Sequence, residues 1–219
     1  MKPSKLLSLL LSLALAVFFL SAAVAIPILY RPFYYEQIES LALAEQTGWS
    51  EAVIRQAYDE VMDYLVADAP FGTGELKWSA SGMQHFADCK VLFRLDFILL
   101  GCASLLLLAL ALLRWRRKIA FHRFAGRSPA FWAAAGMALV FALAALWALI
   151  DFNSLFTAFH SVFFPGKTNW LFDEQADQII QILPEVFWVR TGAFVLTVSL
   201  GGAVLTAAAA ALLRKHDKP

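Results

Sequence analysis

The sequence predicts an all-α membrane protein with four transmembrane helices, and three observations carry that prediction. Of the 219 residues, 60% are hydrophobic and only 16% charged, with a mean hydropathy of +0.65, far from the balance of a soluble domain. Four apolar runs, 6–29, 91–113, 130–150 and 189–213, each reach the roughly 20 residues needed to cross a hydrocarbon core about 30 Å thick. Lysine and arginine gather in alternate connections, the bias that sets topology in a membrane.

The first run follows Lys2 and Lys5 and contains "SAAVA", a small-residue spacing that a signal peptidase accepts. The apolar stretch continues through "IPIL" beyond that point and is longer than the apolar region of a signal peptide. It is therefore expected to be an uncleaved anchor; cleavage would leave three spans in the same orientation. Segment 30–90 is rich in Asp and Glu. Within it "SEAVIRQAYDEVMDYL" places Val53, Ile54, Ala57, Tyr58, Val61, Met62 and Leu65 on one helical face behind Ser50, a favourable N-cap. "APFGTGELKW" then predicts a turn or short hairpin, and "SASGMQHFADCKVLF" leads into the second span. Because Arg94 and Asp96 stand near the start of that span, its hydrocarbon portion is expected to begin at Phe97.

"RWRRKIAFHRFAGR", 114–127, holds five arginines, a lysine and no acid. Segment 151–188, by contrast, carries Asp151, Asp173, Glu174, Asp177 and Glu185 against a lone Lys167. Both termini and the basic loop are thus expected on the cytoplasmic side, with 30–90 and 151–188 outside as a helical lid. In the second outer segment Asp173 is the expected N-cap of a short helix. Its apolar stripe is Ala176, Ile179, Ile180 and Leu183, and Pro184 ends it. Trp170, Phe172, Phe187 and Trp188 would sit at headgroup depth. No repeat or second domain is visible, so residues 1–219 read as one integral membrane domain.

Four histidines occur. His122 and His216 belong to basic cytoplasmic segments and read as solvated residues. His85 and His160 are both predicted at the outer membrane boundary, one entering the second span and one just past the third. Histidine titrates near 6.5 and so suits proton transfer near neutral pH. Asp88, three residues after His85 and on the same helical face, would orient it.

A nucleophile is missing. The chain has no Gly-x-Ser-x-Gly elbow and no outer Ser-x-x-Lys. The two cysteines, Cys89 and Cys102, read as buried free thiols rather than a disulfide framework or an outward nucleophile with a base at helical spacing. An acyl-transfer reaction here would need a nucleophile supplied by the substrate. A zinc set drawn from His85, Asp88 and His160, with Asp173 or Asp177, is a weaker alternative, since His-x-x-Asp is not the His-Glu-x-x-His spacing. The spans lack the ionisable residues that mark an ion pathway, and the basic loop is explained by topology and anionic lipid, which leaves no support for nucleic-acid binding.

"HFADCKVLF" before the second span, and "FHSVFFPGKTNWLFDEQADQIIQILPEVFW" between the third and fourth, resemble the bacterial four-span family of lipoprotein intramolecular transacylases, Lit. The resemblance covers the whole chain in layout. It implies a multi-pass protein of the cytoplasmic membrane that acts outside on lipoproteins with a diacylglyceryl-modified N-terminal cysteine. The sn-2 acyl chain moves to the cysteine α-amine and leaves a lyso, N-acylated product. No cofactor or metal is implied, and the nucleophile is the substrate's amine. On this resemblance His85 and His160 match the family's two motif histidines, and Asp88 the aspartate of its His-x-x-Asp-x-Lys pattern. One histidine would take the amine proton and the other would return a proton to glycerol oxygen, in an order left open. Lys90 or Asn169 would hold the oxyanion or a glycerol oxygen, and Phe163, Phe164, Trp170 and Phe172 would line an acyl groove. The chain departs from the family pattern in lacking an acid shortly before His85 and in having Phe86 and Cys89 after it. A non-enzymatic accessory protein that binds lipid or peptide on its outer face, and a histidine-dependent acyl hydrolase, are the competing readings.

Overall fold

Each of the four apolar runs folds into a long helix in the computed structural model, which describes residues 2–216: α1 (Lys5–Leu29), α5 (Ala80–Trp115), α6 (Pro129–Ile150) and α8 (Glu185–His216). Shorter helices fill the connections: α2 (Pro32–Ser40), α3 (Leu43–Thr47), α4 (Glu51–Ala67), α7 (Phe152–Phe163) and a 3-10 turn over Gln178–Ile182. Side chains from residue 213 onward, including His216, lie outside the described residues.

α5 begins at Ala80 rather than 91, and α8 at Glu185 rather than 189. Nothing in "MQHFADCKVLF" breaks a helix, so the polar approach to the span is one continuous helix with it. α2 and α3 add to the sequence expectation. Pro32 occupies the first helical position of α2, and Gly48, at φ 78°, ends α3 in the left-handed conformation. α4 forms as predicted: the Ser50 side chain accepts from Val53 N at 3.3 Å, and Ile54, Ala57, Tyr58, Val61, Met62 and Leu65 are buried. The helix expected after Asp173 is shorter than predicted. Asp173 Oδ1 accepts from Gln175 N at 2.8 Å in a local turn, and only the 3-10 turn follows, burying Ile179 and Ile182.

The chain separates into two compact units, with α1, α5 and α8 contributing to both. Among the described residues the first holds 2–24, 97–150 and 194–216. Its interior is built from small residues: Ala130 and Ala133 pack with Leu15, and Ala134, Met137 and Ala203 form a second cluster with Phe19 and Ala207 around it. Gly202 lets Phe19 approach closely, since a Cβ there would lie 2.5 Å from the ring as it stands. Large side chains such as Leu139 and Leu205 face outward, as they must in lipid. The loop after α5 is tied to the start of α1, with Ser4 N donating to Ala120 O at 2.9 Å and His122 N to Ser8 Oγ at 2.7 Å.

The second unit holds residues 25–96 and 151–193, so both predicted outer segments belong to it. Its centre packs aliphatic side chains such as Ile38, Leu43, Ile54 and Ile182 around buried tyrosines. Tyr34 stacks on Tyr58 with centroids 3.8 Å apart, and its hydroxyl donates to Ile182 O at 2.8 Å. Arg31 pairs with Asp59, at 3.0 Å, and with Asp63. The buried Asp177 accepts from Ser79 N and Ser79 Oγ, both at 2.8 Å, and so fixes the start of α5.

Candidate active site

Ala80 begins α5, so His85 falls a little over one turn into the helix and before its apolar portion. α7 starts where Asp151 accepts from Ser154 N at 2.9 Å, and that start sets His160 in the last turn of α7. These two elements bring the histidines together. His85 is 6% exposed and His160 7%, and their ring centroids lie 5.9 Å apart.

An aromatic wall surrounds the pair. Phe164 stands edge-on to His85 at 4.9 Å, and Phe172 does the same at 5.4 Å. Trp170 stacks on His160 at 4.5 Å, and Phe156 lies 4.1 Å from it. Phe164, Trp170 and Phe172 thus sit against the histidines. Phe163 is exposed and packs on Phe159 at 4.6 Å.

His160 Nδ1 is 2.7 Å from Phe156 O. A carbonyl oxygen only accepts, so Nδ1 carries the proton and the neutral ring keeps its lone pair on Nε2. His85 Nε2 is 3.4 Å from Cys89 Sγ, while His85 Nδ1 is buried without a hydrogen-bonding partner. Burial, and next the neighbouring His160, lower the His85 pKa to about 4, against the opposing pull of Asp88. Burial likewise lowers that of His160, against the pull of its bond to Phe156. Both rings are therefore neutral at pH 7.

Asp88 does not orient His85. Its carboxylate accepts from Lys167 Nζ at 2.6 Å and from Asn169 Nδ2 at 3.1 Å. Burial works to raise its pKa, but these bonds hold it below the ordinary carboxylate value. The reason is reach: the "PGKTN" turn delivers a lysine and an amide to the exposed side of Asp88, and a full positive charge is a stronger partner than a neutral imidazole. The Asn169 amide nitrogen is turned toward Asp88, and its Oδ1 is buried and without a partner. That atom accepts and cannot stabilise an oxyanion. Lys90 is also engaged elsewhere. Its Nζ binds Asp68 at 2.6 Å and lies 4.3 Å from the centroid of the Tyr64 ring, so Lys167, not Lys90, is the lysine tied to Asp88. Among the described residues no three His, Cys, Asp or Glu side chains gather as a metal-ligand set.

Cys89, Lys167 and Phe156 complete the surroundings and were not singled out from sequence as site residues. The signal for Cys89 was available: it stands four residues after His85, one helical turn, and contrary to expectation it is a cysteine beside a base. Burial pushes its thiol up to about 12, with the Asp88 charge adding to the effect, so it stays protonated. An open cleft of about 450 Å³ borders Phe156 and is lined also by Gln46, Asn153, Glu174, Gln181 and Trp188.

The pair of neutral imidazoles, an acceptor amide and an aromatic wall suit acid–base work on an apolar substrate. Among curated proteins none matches the chain in sequence. Among solved structures, an in meso structure of the membrane integral lipoprotein intramolecular transacylase Lit from Bacillus cereus has the same fold. It matches with TM-score 0.86 and 22% identity, covering 96% of this chain and 95% of that one. A histidine-to-arginine variant of that protein matches with TM-score 0.79 and 22% identity over 96% and 92% of the two chains. A histidine-to-alanine variant gives TM-score 0.79 and 22% identity over 96% and 93%. The family model for the lipoprotein intramolecular transacylase Lit matches residues 9–188. That span takes in both histidines, both loop motifs and three of the four membrane helices, and the chain belongs to the Lit family of integral membrane acyltransferases.

Proposed function

We propose that this protein moves the sn-2 acyl chain of a diacylglyceryl-modified N-terminal cysteine to the α-amine of that cysteine on bacterial lipoproteins. It would act at the outer face of the cytoplasmic membrane, as one membrane domain. The observation that carries this reading is the buried neutral histidine pair whose neighbouring cysteine is held as an unreactive thiol. Such a site moves protons but supplies no attacking group, and the substrate amine, with a pKa near 8, supplies one.

The exchange balances without a cofactor. The amine nitrogen attacks the ester carbonyl, a C–N bond forms and a proton leaves nitrogen. The C–O bond to glycerol then breaks and a proton arrives on that oxygen. His160 Nε2 is the free acceptor for the first proton, and Asn169 Oδ1 accepts a second amine N–H and so aims the nitrogen. Asp88 acts as the anchor that holds Asn169 and Lys167 in place. Phe164, Trp170 and Phe172 line the acyl side, and the cleft beside Phe156 offers the following peptide residues a polar path.

Mass spectrometry of a reporter lipoprotein N-terminal peptide, from bacteria lacking N-acylation, tests the reading. Wild-type protein should give an isomer of unchanged mass with one acyl chain on nitrogen, and His85→Ala or His160→Ala should abolish it. Loss of one acyl mass with a free amine would mean hydrolysis. An unmodified diacylglyceryl peptide in every case would leave a binding protein.

A further inference from the structure

We propose that Cys89 is a positioning residue: its thiol donates to His85 Nε2 and holds His85 in the tautomer with its proton on Nδ1, so that a neutral imidazole presents an N–H to the reacting ester. This rests on the acyl-transfer reading above.

The contact is 3.4 Å, and both residues lie on α5, one turn apart. Imidazole nitrogen is a good acceptor and thiol sulfur a poor one, so the favourable direction is S–H to nitrogen. The thiol keeps its proton because burial and Asp88 oppose its ionisation. With Nε2 accepting, the proton of the neutral ring must be on Nδ1, the buried atom that has no partner in the protein. A donor left unpaired at 6% exposure is costly, and an oxygen of the substrate relieves that cost.

This divides the labour between the histidines. His160 takes the proton from the attacking amine on Nε2. The C–N bond forms, the carbonyl electrons move to oxygen, and His85 Nδ1–H holds the oxyanion. Collapse breaks the C–O bond, and His160 returns its proton to the departing glycerol oxygen. His85 donates a hydrogen bond throughout and never loses its proton, so no imidazolate forms. A neutral imidazole is a competent electrophile of this kind.

The experiment is a long-range 1H–15N spectrum of the full chain in detergent micelles, labelled with 15N-histidine and assigned with His85→Gln. It is run beside kinetics on a synthetic diacylglyceryl lipopeptide. Wild type should show His85 protonated on Nδ1. Cys89→Ala should shift it toward the Nε2–H tautomer and lower kcat roughly three- to tenfold with KM unchanged, the size expected for one modest hydrogen bond. Cys89→Ser, which keeps a donor, should restore both. A wild-type His85 protonated on Nε2 overturns the proposal, as does a Cys89→Ala protein whose tautomer and kcat are unchanged. The spectrum answers even if Cys89→Ala fails to fold, since the wild-type tautomer alone can refute the assignment. A wild type with no transacylation but an Nδ1–H tautomer would refute the reaction and leave the Cys89 contact standing.

Discussion

The two units of this protein bury side chains of different size. In the first, alanines and a glycine fill the helix contacts while leucines face outward. In the second, large aliphatic and aromatic side chains, Tyr34, Ile38, Leu43, Ile54 and Ile182 among them, are buried together with Gln37, Thr73, His85, His160 and Asp177. Lipid gives no hydrophobic reward for hiding leucine, so close packing of small residues holds spans together. A polar interior is tolerated only where hydrogen bonds satisfy it. Buried atoms without a hydrogen-bonding partner include Gln37 Oε1, His85 Nδ1 and Asn169 Oδ1, and the last two lie beside the candidate reaction centre.

Substitutions should divide along the same line. The largest effect is expected from His160→Ala, which removes the free Nε2 acceptor. Turnover should fall by about a hundredfold or more, measured as N-acylated product per unit of folded protein. Gly82→Ala comes next. A Cβ there would lie 2.1 Å from Oδ1 of Asp177, whose carboxylate is fixed by bonds from Ser79 N to Oδ1 and from Ser79 Oγ to Oδ2. Thermal unfolding in detergent should show a loss of about 1–3 kcal/mol together with reduced activity. Gly202→Ala in the first unit meets the Phe19 ring instead; ring rotation can absorb the methyl, and a smaller loss without a change in kcat is expected. Tyr34→Phe deletes only the bond to Ile182 O and should cost about 1 kcal/mol. Leu205→Ala, on an outward face, should stay within about 0.5 kcal/mol. If Leu205→Ala destabilised more than Tyr34→Phe, the contrast between the units would fail.

The pH dependence separates the histidines from the amine. Both imidazole pKa values are lowered in the folded protein, that of His85 to about 4, so below the unfolded value near 6.5, and for His85 down to about 4, the unfolded chain binds more protons. Stability should fall as pH drops through that window and should be indifferent to these groups above it. Activity should instead follow the substrate amine, rising up to about pH 8 with no inflection near 6.5. An acid limb centred near 6.5 would mean that a histidine titrates as it does in water.

Four spans and the α4 face were legible because they follow from run length and helical period, and the two histidines because they flank the apolar runs. Partners were harder to read. His-x-x-Asp suggested that Asp88 serves His85, yet Lys167 and Asn169, far away in sequence, claim the carboxylate. Lys90 seemed near the chemistry by number, but five residues of helix rotate it from His85 toward Tyr64 and Asp68. Cys89 was one turn from His85 in plain view, and only the 3.4 Å contact gave it a role. Spacing within one helix predicts which side chains share a face, whereas the strongest available partner comes from whichever loop folds over it.

The most direct test uses purified protein and a synthetic lipopeptide with different acyl chains at sn-1 and sn-2. Tandem mass spectrometry then reports which chain reaches nitrogen. The account predicts that the sn-2 chain alone appears on the α-amine, at unchanged total mass, and that an N-acetylated peptide is inert. Release of free fatty acid, or consumption of the N-acetylated peptide, would contradict it, because water or a protein side chain would then be the nucleophile.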